Sequence, residues 1–153
     1  MFSKYDDQRK ERKRERIRAD AKRKVEIAEK REQYRQKIEA LQALGDSLDV
    51  HGVLSEFKKT YFGRWIQYFF SIEQRARQFF ESGTPDDYSI FWEVKNLLGQ
   101  TLVTVKLSDD QFGKRFLVTR HYEHGSGSFT YGGQPATKED LIKLLGGVID
   151  DSN

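Results

Sequence analysis

The spacing of apolar residues divides the chain into three stretches. Residues 4–37 contain almost none, whereas large apolar residues recur every three or four positions across residues 50–80. From residue 89 onward, apolar and polar residues alternate. Recurrence every three or four positions indicates an amphipathic helix, and alternation indicates a half-buried strand. The pattern therefore predicts a charged N-terminal segment, a long amphipathic helix and a sheet.

The N-terminal stretch favours helix, because residues 5–43 contain no Gly or Pro and are rich in Arg, Lys, Glu, Gln and Ala. Gly45 is expected to end this helix. Apart from Tyr5 and Ile17, large apolar residues enter it only in its second half. There they lie on nearly one line, which we expect to dock on the rest of the protein or on a partner helix. These helix-docking residues are Ile27, Tyr34, Ile38 and Leu41.

Residues 9–24 have a different composition, with ten basic residues, three acidic ones and one large apolar residue, Ile17. Such a segment lacks the apolar surface needed for packing. We expect it to be frayed or disordered alone and to become helical when it binds an anion.

The second half of the sequence predicts a small sheet between two helices. A long helix over residues 50–80 is followed by strands at 89–96, 101–107, 114–122 and 128–131, with Asp109 and Asp110 in a turn. A last helix begins at Thr137, whose hydroxyl is placed to cap it three residues before Asp140, and ends at Gly146 and Gly147. The predicted fold class is α+β, with a charged arm (1–44) and a globular domain (46–153) that contains a four-stranded antiparallel meander.

Charge is distributed very unevenly along the chain. Residues 1–37 carry a net charge of +7 and the remainder −4, within an overall +3. Such asymmetry indicates a polyanionic partner, either DNA or RNA or a complex of nucleic acid and protein. The alternative is a solvated charged helix that acts as a spacer, and the arm lacks the bulky apolar face that a membrane surface requires. The candidate binding residues are Arg9, Lys10, Arg12, Lys13, Arg14, Arg16, Arg18, Lys22, Arg23 and Lys24.

No constellation of residues identifies a reaction, a cofactor or a metal site. The chain has no cysteine, and its three histidines lack the spacing of zinc ligands. A minor alternative is a small metal-dependent nuclease that uses Asp109, Asp110, His121 or Glu123. The leading interpretation is therefore a non-enzymatic binding protein.

Aromatic residues offer a second candidate surface. Those between residues 61 and 70 are interleaved with cations and suit stacking on unpaired bases, but their helical spacing favours a packed core. The same choice between stacking and core applies to Phe91, Phe116 and Tyr122 on the predicted sheet. The first group consists of Tyr61, Phe62, Trp65, Tyr68, Phe69 and Phe70.

In outline, the chain resembles small accessory proteins of phages and mobile elements. The likeness lies in the cationic residues 9–24, the amphipathic residues 27–48, and the small α+β body with paired strands at 90–95 and 101–106. Some anti-CRISPR proteins, which inhibit CRISPR effector nucleases, are built in this way. The resemblance implies occlusion of a nuclease–guide RNA complex or of its DNA-binding groove, and it assigns no individual residues.

Two further expectations concern partners and location. A protein–protein module that uses the 27–48 helix as a coiled coil or docking helix is the main alternative function. Because no apolar stretch suits a signal peptide or a membrane span, we expect a cytoplasmic protein.

Overall fold

A computed structural model describes residues 1–77, 79, 88–111, 113–121 and 128–151, without the side chains of residues 128 and 129. Its helices are α1 (Ser3–Ser47), α2 (Val50–Phe62) and α3 (Lys138–Asp151), with a 3₁₀ turn at Ile66–Phe69. The strands β1 (Ser71–Ala76), β2 (Tyr88–Lys95), β3 (Thr101–Asp110), β4 (Gly113–Arg120) and β5 (Ser128–Tyr131) form an antiparallel sheet in chain order. The α+β class is confirmed, but the sheet has five strands rather than the predicted four.

The described residues form two compact units. The first comprises residues 1–36 with Phe79, and the second comprises the other described residues from Lys37 onward. The predicted arm extended to residue 44, whereas this division falls inside α1, after Gln36. The last turns of α1 therefore belong to the same unit as the sheet.

The predicted helix over residues 50–80 is wrong beyond Phe62. Gly63 ends α2 with φ 90° and ψ 165°, a backbone conformation that is essentially restricted to glycine. After the 3₁₀ turn, the chain becomes β1, which pairs with β2 from Ser71 opposite Lys95 to Ala76 opposite Ile90. The apolar period continued through this segment, but pairing with β2 satisfies its backbone as a strand.

Other element ends also differ from the predictions. β3 continues through Asp109 and Asp110, which were assigned to a turn, and α3 continues through Gly146 and Gly147. α1 likewise continues past Gly45, and it includes residues 9–24, which we expected to be frayed or disordered. Glycine ends a helix where the backbone turns left-handed, and none of these three glycines has a positive φ.

The predicted cap of the last helix is confirmed. The backbone N–H of Asp140 donates a hydrogen bond to the Thr137 hydroxyl at 3.1 Å, and Leu141 N–H donates to the Thr137 carbonyl at 3.2 Å. These bonds satisfy donors that the first turn of a helix leaves unpaired.

The core lies on one face of the sheet, where alternate residues of the three central strands are buried. The helices contribute Leu41, Val50, Leu54, Leu141 and Leu145 to the buried apolar residues. The opposite face carries charged and polar residues together with a few aromatic ones, as the alternation of side chains along a strand requires. The buried sheet residues are Ile90, Trp92, Val94, Val103, Val105, Leu107, Phe116 and Val118.

Candidate nucleic-acid interface

The basic residues of the N-terminal arm lie on formed helix and are all exposed. Lys10 pairs with Asp6 at 3.2 Å, and Arg14 pairs with Glu11 at 3.9 Å. Within the part of the chain that the structure describes, the other eight candidate cations have no carboxylate within ion-pair distance. An exposed cation without a nearby carboxylate retains its full attraction for a phosphate.

Helix geometry sorts these cations into two sides. At 3.6 residues per turn, five of them follow one side of the helix at spacings of three, four and seven residues. We call this set the basic face: Arg9, Arg12, Lys13, Arg16 and Arg23. Glu11 and Glu15 fall on the opposite side, and Asp20 is the one carboxylate of residues 9–24 that falls within the basic face. The other five cations (Lys10, Arg14, Arg18, Lys22 and Lys24) lie around the rest of the helix, and both cations that form ion pairs, Lys10 and Arg14, are among them.

The predicted helix-docking residues occupy the second half of α1. Tyr34, Ile38 and Leu41 are buried in the single chain, and Ile27 is partly exposed. A coiled coil with a partner through these three buried side chains would first have to open the packing that covers them. The protein–protein module stays a prediction.

The structure reverses the expected burial in the link between α2 and β1. We call residues 64–70 the aromatic turn. Trp65 and Tyr68 are 76% and 77% exposed, and Ile66 and Phe69 are also exposed, whereas the polar Gln67 is buried. The core interpretation is therefore wrong for the three aromatic residues Trp65, Tyr68 and Phe69.

The aromatic turn is held at both ends. The Phe62 and Phe70 rings stack with centroids 3.6 Å apart, and the Lys58 ammonium donates a hydrogen bond to the Phe70 carbonyl at 2.8 Å. Inside the turn, the Gln67 amide donates to the Arg64 carbonyl at 3.0 Å. These contacts explain why Phe62 and Phe70 are partly buried while the rings between them are exposed.

Charge around the aromatic turn is one-sided. Residues 58–70 include three cations and no carboxylate. The Arg64 guanidinium lies 5.6 Å from the centre of the Trp65 ring, and Lys59 pairs with Glu56 at 3.1 Å. Exposed rings beside cations are the composition expected of a surface that binds single-stranded nucleic acid.

The polar face of the sheet carries a second, weaker candidate. The strand register places one row of side chains across it: Arg75, Phe91, Lys106, Leu117 and Tyr131. The Arg75 guanidinium lies 4.5 Å from the centre of the partly buried Phe91 ring. Phe91 is therefore only partly accessible for stacking, because Arg75 lies over its ring. In contrast, Phe116 is fully buried in the core, and Tyr122 lies outside the described residues.

Several cations on this face are paired with carboxylates. Glu93 is buried. Its Oε1 accepts a hydrogen bond from Nε of Arg75 at 2.5 Å, and its Oε2 pairs with Nζ of Lys95 at 3.4 Å. Burial raises the pKa of Glu93, but the hydrogen bonds and charges of Arg75 and Lys95 outweigh that effect and lower it. The hydrogen bond to Glu73 is the main reason that the pKa of Lys95 is raised. This face is therefore less attractive to phosphate than the basic face.

Among the described residues of the alternative nuclease, His121 lies apart from Asp109 and Asp110. Asp109 pairs with Lys37 at 3.8 Å, while Asp110 pairs with Arg115 at 3.4 Å. The His121 ring contacts the Thr104 hydroxyl at 2.8 Å. Thr104 precedes Asp109 by five residues along β3, a separation of about 17 Å in a strand. Glu123 and His124 lie outside the described residues, and the described part of the chain contains no group of three metal-binding side chains.

Two clefts adjoin α3, and no pattern in the sequence predicts either of them. One has a volume of about 430 Å³ and lies against α2, with Val53, Phe57 and Leu145 among its lining residues. The other has a volume of about 410 Å³ and lies against β4 and β5, where Arg120 and Lys143 line it together with two carboxylates. Neither cleft includes a residue of the basic face or of the aromatic turn.

No protein-family model, curated protein or solved structure matches this chain. The resemblance to anti-CRISPR proteins therefore stays a prediction, and the assignment of the site depends on the chemistry of the chain itself. Among the described helices, none is both long enough and apolar enough to cross a membrane.

Proposed function

We propose that this protein is a non-enzymatic, cytoplasmic protein that binds nucleic acid, or a complex of nucleic acid and protein, through the basic face of α1. The supporting observation is the arrangement of that face. Five exposed cations lie on one side of a helix, and the described residues provide no carboxylate that pairs with them.

The length of the basic face suits a nucleic-acid backbone. Arg9 and Arg23 are separated by 14 positions, or about 21 Å along the helix axis. Phosphates in duplex DNA present one charge per about 1.7 Å of helix axis. The basic face thus meets several phosphates at once, and the counterions that it displaces provide affinity without reading sequence.

A narrower form of the proposal follows from the resemblance to anti-CRISPR proteins. In that form, the basic face contacts the guide RNA or the target DNA of a CRISPR effector nuclease and occludes it. Inhibition of guided cleavage by the full chain, compared with unguided cleavage by an unrelated nuclease, tests this form separately. Loss of both cleavage activities would indicate general coating of nucleic acid rather than inhibition of a particular effector.

The test compares two variants that lose the same charge. Arg12→Gln with Arg16→Gln and Arg23→Gln removes three cations from the basic face, whereas Arg14→Gln with Arg18→Gln and Lys22→Gln removes three from elsewhere on the same helix. Gln keeps the helix propensity close to that of Arg. Both variants also have the same net charge, so any difference between them reports position.

Binding is measured by fluorescence anisotropy of a labelled duplex of about 20 base pairs over about 50–200 mM salt. We expect the basic-face variant to bind more weakly and to flatten the plot of log affinity against log salt by about 2 to 3, since each lost phosphate contact contributes about 0.9. The control variant should change both quantities much less. Equal effects of the two variants, or no binding by the unmodified protein, would contradict the proposal.

A further inference from the structure

The aromatic turn exposes its apolar residues and buries its polar one. Gln67 is 6% exposed, and its amide donates a hydrogen bond to the Arg64 carbonyl, whereas the apolar residues on either side of it are exposed: Trp65, Ile66, Tyr68 and Phe69. A turn whose purpose was only to fill the core would have the opposite arrangement. Clustered exposed aromatic side chains of this kind mark binding surfaces.

We propose that the aromatic turn binds an unpaired base of single-stranded nucleic acid between the rings of Trp65 and Tyr68. This inference rests on the proposed function, because it names the form of nucleic acid that the protein prefers. It adds a second site, separate from the basic face, in the unit that contains the sheet.

The backbone spacing of the two rings fits one base. In a 3₁₀ helix, residues three apart eclipse each other, with a rise of about 2.0 Å per residue. Trp65 immediately precedes the 3₁₀ turn and Tyr68 lies within it, so they are about 6 Å apart along the axis. A base held between two rings needs two van der Waals contacts of about 3.5 Å each, or about 7 Å.

Both rings are available for such a contact. Within the described part of the chain, neither the Trp65 nor the Tyr68 ring packs on another aromatic ring, and both are more than three-quarters exposed. The turn that carries them is anchored by the Phe62–Phe70 stack and by Lys58. An anchored turn loses little conformational freedom when a ligand binds, which favours affinity.

The local charge favours a nucleic-acid strand. Arg64 lies beside Trp65, and residues 58–70 contain no carboxylate that would repel a phosphate. A cation next to the stacking ring is placed to contact the phosphate that adjoins the bound base. Aromatic stacking combined with backbone cations is how proteins bind single strands without sequence preference.

A lipid surface is the competing ligand, and it predicts a different set of important residues. Leu97 and Leu98 are 77% and 84% exposed on the β2–β3 turn, at the same end of the sheet as the aromatic turn, because Lys95 pairs with Ser71. A bilayer would use these leucines as strongly as the rings. Base stacking needs the two π faces and gains little from the leucines, and the backbone spacing of Trp65 and Tyr68 suits it.

The protein contains a suitable fluorescent probe. It has two tryptophans, of which Trp65 is exposed and Trp92 is 3% exposed in the core. We expect an oligothymidylate of about 20 nucleotides to quench the emission of Trp65, and the matched duplex to quench it much less. Emission from Trp92 should stay constant, and it reports whether the core remains folded.

Variants then assign the contact to particular side chains. Trp65→Ala and Tyr68→Ala are each expected to weaken binding of a labelled oligothymidylate about 5- to 100-fold, with little change in duplex binding. Leu97→Ser combined with Leu98→Ser is the control, and it should leave single-strand binding within about twofold. These positions are all exposed, so the variants should unfold at the temperature of the unmodified protein.

The outcomes separate this inference from the proposed function. Single-strand binding that is unaffected by both ring substitutions, but lost in the basic-face variant, would overturn the inference and leave the proposed function standing. Absence of both duplex and single-strand binding would overturn both. A blue shift of Trp65 emission with phosphatidylserine vesicles that requires Leu97 and Leu98, without quenching by oligothymidylate, would overturn the inference in favour of a lipid ligand.

Discussion

The Trp92 indole lies directly against the Cα of Gly45. A Cβ placed on Gly45 would be 2.6 Å from both Cη2 and Cζ2 of that ring, and 3.7 Å from Cδ1 of Ile90. Gly45 is buried within α1, and Trp92 is on the core face of β2. The absence of a side chain at Gly45 therefore sets how closely the end of α1 approaches the sheet.

Gly45→Ala should destabilise the protein despite the better helix propensity of Ala. A Cβ that overlaps a packed ring costs about 1–3 kcal/mol, whereas replacing Gly by Ala in a helix gains about 1 kcal/mol. The cost therefore equals or exceeds the gain. The measurement is the midpoint of chemical denaturation. Gly146→Ala is the matched control, since a Cβ there meets no atom within 4 Å, and it should leave stability unchanged or raise it.

Gly63→Ala should also destabilise the protein, for a different reason. No atom lies within 4 Å of a Cβ at Gly63, but its φ of 90° is strained for any residue with a side chain. That strain costs about 1–3 kcal/mol. Thermal unfolding should show a lower midpoint for Gly63→Ala than for Gly147→Ala, and equal midpoints would mean that the turn adopts another backbone conformation.

Stability should decline in acid in a way that depends on Glu93. Its pKa in the folded protein is lowered from about 4.5, so the unfolded chain binds a proton more readily as the pH falls. The stabilisation is fully present above pH 4.5 and is lost as the pH falls through the lowered value. Glu93→Gln should reduce stability at pH 7 by about 1–3 kcal/mol and flatten its decline below pH 4.5.

Denaturation midpoints measured from pH 7 down to pH 3 provide this comparison. Glu73→Gln is the control on the same face of the sheet. Its carboxylate is more than half exposed, in a pair with Lys95 at 2.8 Å, so its loss should matter less at every pH. A decline of the same steepness in Glu93→Gln and in the unmodified protein would contradict the prediction.

Removing the cap of α3 should have a modest and specific effect. Thr137→Ala deletes the hydroxyl that accepts the Asp140 N–H, and it should lower stability by about 1 kcal/mol. Thr137→Ser keeps the hydroxyl and should retain most of the stability. Similar losses in both variants would show that the methyl group, rather than the cap, is important.

The sequence predicted elements well where local signals agreed with tertiary packing. Alternation located β2 and β5 to within a residue, and the Thr137 cap located the start of α3. Prediction from the sequence failed between residues 63 and 76. Helical spacing continued there, but Gly63 adopts a backbone conformation that spacing does not reveal. Pairing of β1 with β2 is a long-range interaction, which a window of neighbouring residues does not contain.

The candidate sites show the same division between local and long-range information. The cations of the arm are visible in the composition, and their order on one face follows once the segment is helical. Exposure of Trp65 and Tyr68 could not be predicted, because apolar spacing normally indicates burial. Only the end of α2 at Phe62 and the inward position of Gln67 turn those rings outward.

The unbroken helix of α1 has a thermodynamic consequence for complex formation. If residues 9–24 are helical before they meet a partner, binding requires no coil-to-helix transition in the arm and incurs no ordering entropy there. Calorimetry should then give a heat-capacity change near zero for binding by the arm, since little apolar surface is buried. Circular dichroism should likewise show the same helix content before and after nucleic acid is added.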